Sequence, residues 1–130
     1  MPDARSTTRK SVEDFATAWL DGDEATVARA CSPGVRWWTP VAGETGPGPA
    51  ATWAALTAIL EAAPRPIEIT ALAISDDGSR GVVEMRAAAG APTGSATLVT
   101  SVVRVSSGKV VEGRTYADPA TQTAPTAENP

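Results

Sequence analysis

From Ile67 onward the apolar residues of this chain stop recurring every three or four positions and begin to alternate. That change of period limits the fold more than any other feature. Ile67, Ile69 and Ala71 keep one parity while Leu72 and Ile74 take the other, which predicts a β-bulge near Ala71. Asp76-Asp77-Gly78 reads as a turn, 81–89 as a strand, Ala91-Pro92-Thr93-Gly94 as another turn and 95–105 as a third strand. Ser106-Ser107-Gly108 then closes a hairpin into a last strand over 109–118. Segments joined this tightly form a meander, and the lack of a βαβ crossover pattern argues against a doubly wound nucleotide fold.

Upstream the pattern is helical. Val12, Phe15, Ala16, Trp19 and Leu20 form one apolar stripe, with Ser11 available as its cap. Asp21-Gly22-Asp23 interrupts it, and Asp23 caps a short second helix carrying Val27, Ala30 and Cys31, which Pro33-Gly34 ends. A short strand over 35–39 stops at Pro40, and a Gly/Pro loop follows over 42–48. Pro49 opens a third helix whose buried side is Trp53, Leu56, Ile59 and Leu60; Pro64 and Pro66 close it. Helices followed by strands is the order of an α+β domain. The expected architecture is a cone-shaped, curved, mixed or antiparallel sheet with three N-terminal helices enclosing an apolar pocket. The chain has 130 residues, room for one domain, expected over 9–118 between flexible tails at 1–8 and 119–130.

Composition narrows the function. Hydrophobic residues make up 42%, enough for a core. A net charge of −4 with no basic cluster argues against a nucleic-acid partner. No apolar run is long enough to span a membrane, and the polar first residues lack the stretch of a signal peptide, so a cytoplasmic location is expected. The single cysteine, Cys31, excludes an internal disulfide and reads as buried and inert. The chain has no histidine, which removes Ser-His-Asp triads, His-based metal sites and imidazole proton shuttles together. No metal or cofactor is expected, and any proton transfer falls to carboxylates, Tyr, Lys or water.

The helix opening VEDFATAWLDGDEATVARACSPGVRW, the loop after Pro40 and the ending SGKVVEGRTYADP resemble the SnoaL-like branch of the nuclear transport factor 2-like superfamily. Its members include polyketide cyclases, ketosteroid isomerase and limonene epoxide hydrolase. The likeness extends over roughly 10–119. It implies the cone-shaped fold and, for Asp118, the role of the acid/base carboxylate that closes the last strand. Ser101 stands where the cyclase has a histidine and the isomerase a carboxylic acid. Phe15 stands at the isomerase's oxyanion-hole tyrosine and Thr39 at its base aspartate, so that isomerisation mechanism is not expected here. Met85 and Ala87 stand where the epoxide hydrolase has an Arg and an Asp.

The resemblance thus implies a small cofactor-free enzyme acting on a hydrophobic, oxygenated small molecule of natural-product type. The reaction classes are cyclisation, isomerisation, dehydration or epoxide opening, with Asp118 moving the proton. Ser101, Thr39 and Tyr116 are the candidate orienting groups, and Trp37, Trp38, Met85, Phe15 and Trp53 the candidate cavity walls. Each has a plainer alternative: Asp118-Pro119 as a strand terminator, Tyr116 and Met85 as packing, Trp53 as helix core. Trp37 and Trp38 must point to opposite faces of one strand, one to the core and one to a pocket wall or subunit interface. Glu112 and Arg114 are expected on the outer face, pairing with Arg104 or Glu84. Alternation also puts Asp118 on the side of Glu112, Arg114 and Tyr116, whereas the isomerase comparison lines the pocket with Gly113, Thr115 and Ala117; both hold only if the strand twists or bulges at its end. The rival readings are a non-catalytic binding module and a dimerisation module, and a homodimer is the expected assembly.

Overall fold

The structure, a computed structural model, describes residues 3–40, 42–63, 66–87 and 97–117. Helix α1 (Ala4–Asp21) starts where the Asp3 carboxylate accepts the Ser6 backbone N–H, and ends at Gly22, whose left-handed backbone closes the last turn. This start lies well ahead of Ser11, and inside the stretch expected as a tail. Tertiary contacts explain the extension. The buried Thr8 hydroxyl donates to the Gly78 carbonyl, and Ser11 donates to the Gly108 carbonyl at 3.0 Å, so two β-turns hold the early helix in place. At Gly78 (φ 75°) a Cβ would sit 2.7 Å from that of Ala4, so only glycine allows the turn to approach the helix.

Helix α2 (Glu24–Ala30) is capped by Asp23, as expected from the sequence. Strand β1 runs over Cys31–Thr39 and so begins before Pro33-Gly34 instead of after them. The irregular pair is absorbed as a shift of register against the last strand between Cys31 and Arg36. Strand β2 (Gly43–Glu44) lies in the expected loop, and helix α3 (Pro49–Ala62) opens on Pro49. Strands β3 (Ile67–Ile74), β4 (Arg80–Ala87), β5 (Thr97–Ser106) and β6 (Lys109–Ala117) form the meander. The bulge expected near Ala71 is present: Ile69 faces Met85 but Ala71 faces Glu84, leaving Thr70 as the extra residue. The turn expected at 91–94, and Asp118 with the residues after it, lie outside the described residues.

The strands join into one curved, mixed six-stranded sheet in the order β2-β1-β6-β5-β4-β3, and the helices pack on its inner face. Every pair is antiparallel except β1 with β6, which joins the first half of the chain to its end. Alternation is strict where it matters. Val83, Met85, Val99, Ser101, Val103, Gly113 and Thr115 are buried, while Val82, Arg104, Glu112, Arg114 and Tyr116 between them are exposed. Among the described residues no helix is long and apolar enough to cross a membrane.

The β3–β4 turn also carries a pH-sensitive element. One Asp77 carboxylate oxygen accepts from the Ser79 N–H and from the hydroxyls of Ser75 and Ser79. These bonds hold its pKa down at about 2, below the ordinary 3.8. A carboxylate depressed by folding stabilises the native state above its unfolded pKa and loses that contribution as pH falls through its folded one. Stability should therefore decline from about pH 4 toward pH 2, and Asp77→Asn should flatten that part of the profile in urea titrations at stepped pH. An unchanged acid limb in the variant would refute this.

Candidate functional site

Cross-strand register divides the inner face into two ends. Toward the β3–β4 and β5–β6 turns the buried side chains are almost all aliphatic: Val12, Val27, Val35, Ile74, Val103 and Val110. Toward the other end the pairs are Val83–Ser101–Thr115, then Met85–Val99–Ala117, with Thr39 closing β1. There the hydroxyls of Ser101, Thr115 and Thr39 stand among Val83, Met85 and Val99, and the half-buried Ala117 marks where burial weakens.

Trp37 lies between the two ends. Its neighbour across the parallel pair is Gly113, and a Cβ there would collide with three carbons of the Trp37 ring. Glycine at 113 is what lets the indole lie flat on β6. Phe15 of α1 stacks on the same ring at 5.2 Å between centroids, an arrangement worth about 0.5–1.5 kcal/mol beyond the area it buries. The indole Nε1 donates to Thr115 Oγ1 at 2.8 Å, and Thr115 Oγ1 shares a hydrogen with Ser101 Oγ, also at 2.8 Å. All three side chains are at most 1% exposed. Thr39 Oγ1 accepts the Ala42 N–H at 3.0 Å and pins the loop after Pro40, while the buried Thr52 hydroxyl of α3 has no partner among the described residues.

Of the residues singled out from sequence, the structure brings Phe15, Trp37, Thr39, Met85 and Ser101 into the interior. It does not bring in Trp38 or Tyr116. Both project from the outer face, where their rings lie 5.3 Å apart and the Arg114 guanidinium sits 5.2 Å over the Trp38 ring. Alternation alone dictates this, because Trp38 and Tyr116 share parity with exposed Arg36 and Arg114. Trp53 is corrected too. It is half-buried and lines an open groove of about 310 Å³ between α1 and α3, with Trp19, Leu20 and Leu60. Asp118 lies outside the described residues. Two hydroxyls outside the candidate orienting groups are fully buried: Thr115, which the isomerase comparison placed on the pocket side, and Thr52. The parity of β6 pointed to Thr115; nothing in a helical pattern pointed to Thr52.

The electrostatics are one-sided. The polar side chains buried among the described residues are Thr8, Thr39, Thr52, Ser101 and Thr115, all neutral hydroxyls. Cys31 is buried at the aliphatic end, paired with Val110, and burial pushes its thiol up to about 11, which leaves it inert at neutral pH. The charged groups stay outside. Arg104 pairs with Glu112 at 2.9 Å, as expected, and Arg36 with Glu44 at 2.8 Å. The Arg104 bond holds the Glu112 carboxyl below its ordinary range.

Residues 12–113 match the SnoaL-like domain family. The fold matches that of a protein described as a SnoaL-like polyketide cyclase from Jannaschia sp. CCS1, with a TM-score of 0.74 and 19% identity over 99% of this chain and 98% of that one. A steroid delta-isomerase from Pseudomonas aeruginosa superposes with a TM-score of 0.71 and 16% identity over 89% and 82%. An LEH-like epoxide hydrolase from M. tuberculosis gives 0.67 and 18% over 91% and 87%. At these identities the solved structures speak for the fold alone. No curated protein matches the chain in sequence.

The hydrogen-bond chain has an asymmetric consequence for stability. Thr115→Val keeps the shape but leaves a buried indole N–H without an acceptor, which should cost about 1–3 kcal/mol. Ser101→Ala removes one neutral bond from the end of the chain and should cost about 0.5–1.5 kcal/mol. Urea unfolding of both variants tests the order, and equal losses would contradict it.

Proposed function

The chain belongs to the SnoaL-like domain family, and from that premise we propose that it binds a hydrophobic, oxygenated small molecule at the hydroxyl-bearing end of the cone and performs acid/base chemistry on it through Asp118. The supporting observation is the make-up of the interior: apolar walls with a few oriented hydroxyls and, among the described residues, no buried carboxylate, lysine or arginine. Walls of that kind suit an uncharged ligand, whose desolvation costs little and whose oxygens the hydroxyls can orient. Proton transfer then needs a group from outside this set. Asp118 follows Ala117 in the chain and occupies the position of the acid/base carboxylate in the family resemblance. The reaction classes it can serve without a cofactor are cyclisation, isomerisation, dehydration and epoxide opening.

Asp118→Asn should lower turnover of a reactive lipophilic epoxide or ketone by roughly two to four powers of ten. Affinity for the unreacted compound should stay within a few fold. Full activity in the variant would dispose of the catalytic role. The hydroxyl-only interior also favours a second reading, a carrier or sensor, for which binding without turnover in the unmodified protein is the mark.

We further infer a homodimer built on the outer sheet face. Val82, Leu98 and Tyr116 are 38%, 36% and 40% exposed there, beside the half-buried Trp38 and a mixture of arginines and glutamates that a second copy can complement. Sedimentation equilibrium should give twice the chain mass at micromolar concentration, and Val82→Glu with Tyr116→Glu should halve it. A monomeric unmodified protein would rule this assembly out.

A further inference from the structure

A count of hydrogens along the buried polar chain identifies what kind of ligand atom the interior is built to meet. An indole N–H can only donate, so in its bond with Trp37 the Thr115 oxygen is the acceptor. Ser101 and Thr115 own two hydroxyl hydrogens, and their single mutual bond uses one of them. The other has no acceptor among the described residues. If Thr115 donates to Ser101, the bonds run head to tail from Trp37 through Thr115 to Ser101; each polarises the next, and the free O–H belongs to Ser101. If Ser101 donates instead, Thr115 accepts twice and the free O–H is its own. Either way one donor is left over, at most 1% exposed and away from water. The Thr52 hydroxyl is a further buried group with no protein partner among the described residues. A buried donor left unpaired costs about 1–3 kcal/mol, a penalty that an acceptor oxygen on a ligand removes.

We propose that the Trp37–Thr115–Ser101 chain is a donor relay that recognises a carbonyl, ether or epoxide oxygen on an uncharged ligand, with Trp37 as the positioning residue that sets the direction of donation. This rests on the small-molecule reading above and narrows it to acceptor-bearing ligands. The indole N–H occupies the Thr115 oxygen and favours the head-to-tail direction, so Ser101 supplies the hydrogen that touches the ligand oxygen, and Trp37 acts through Thr115 without touching it.

The test compares two probes of one shape, 2-acetylnaphthalene and 2-isopropenylnaphthalene, in which a methylene group stands in place of the carbonyl oxygen. Calorimetric titration of the full chain should give the ketone the lower Kd by about 2- to 12-fold, the range of one neutral hydrogen bond. That ratio should fall toward one in Ser101→Ala and in Trp37→Phe, which keeps an aromatic ring but removes the N–H. A purely structural role for Trp37 would weaken both probes equally and leave the ratio intact, which would overturn its assignment. Equal affinity of the two probes for the unmodified protein would overturn the relay while leaving the small-molecule reading standing, and this arm needs no variant to fold. Failure of both probes to bind would overturn the relay and the small-molecule reading together.

Discussion

The parallel contact between β1 and β6 depends on one side chain lying flat on one glycine. Trp37 occupies the space above Gly113, and that single packing event links three parts of the chain that local structure cannot join. It fixes β1 against the last strand, gives Phe15 of α1 a ring to stack on, and places an indole N–H where the Thr115 hydroxyl accepts it. The indole and that hydroxyl are 78 residues apart in sequence, so the bond forms only after most loop-closure entropy has been overcome. Gly113, Thr115 and Phe15 are therefore best understood as partners of Trp37 rather than as separate features.

The same arrangement separates two chemistries within one interior. On one side of Trp37 the core is mostly aliphatic and packs the sheet against α1 and α2. On the other side Ser101, Thr115 and Thr39 place hydroxyls among Val83, Met85 and Val99. Strand positions given to hydroxyls in this way contribute less packing energy than aliphatic ones. Among the described residues the charged groups stay outside, and an interior of that kind favours neutral molecules.

The outer face is stabilised differently. Its ion pairs, Arg36–Glu44 and Arg104–Glu112, are more than half exposed on at least one partner and each contributes little to folding. The Arg114, Trp38 and Tyr116 cluster is an exposed aromatic and cationic stack of the sort that gains most when a partner removes its water. The two faces thus differ in kind: the inner one is apolar with a few hydroxyls, the outer one mixes charges with exposed aromatic rings.

Much of this was readable from residue order. The switch of period at Ile67, the parity slip that became the Thr70 bulge, the opposite directions of Trp37 and Trp38, the Asp23 and Pro49 helix starts and the Arg104–Glu112 pair all follow from rules spanning only a few residues, or from alternation on adjacent strands. The tertiary structure alone decided the rest. Helix α1 starts early because Thr8 and Ser11 find carbonyls in distant turns, and β1 passes through Pro33 because β6 tolerates a shift in register. Tyr116 and Trp38 face outward together, and Thr115 becomes the centre of the polar chain because Trp37 arrives above it. Local sequence sets which side of an element a residue faces. Which residue it meets there depends on chain segments 70 or more positions away, and only the closed sheet brings those together.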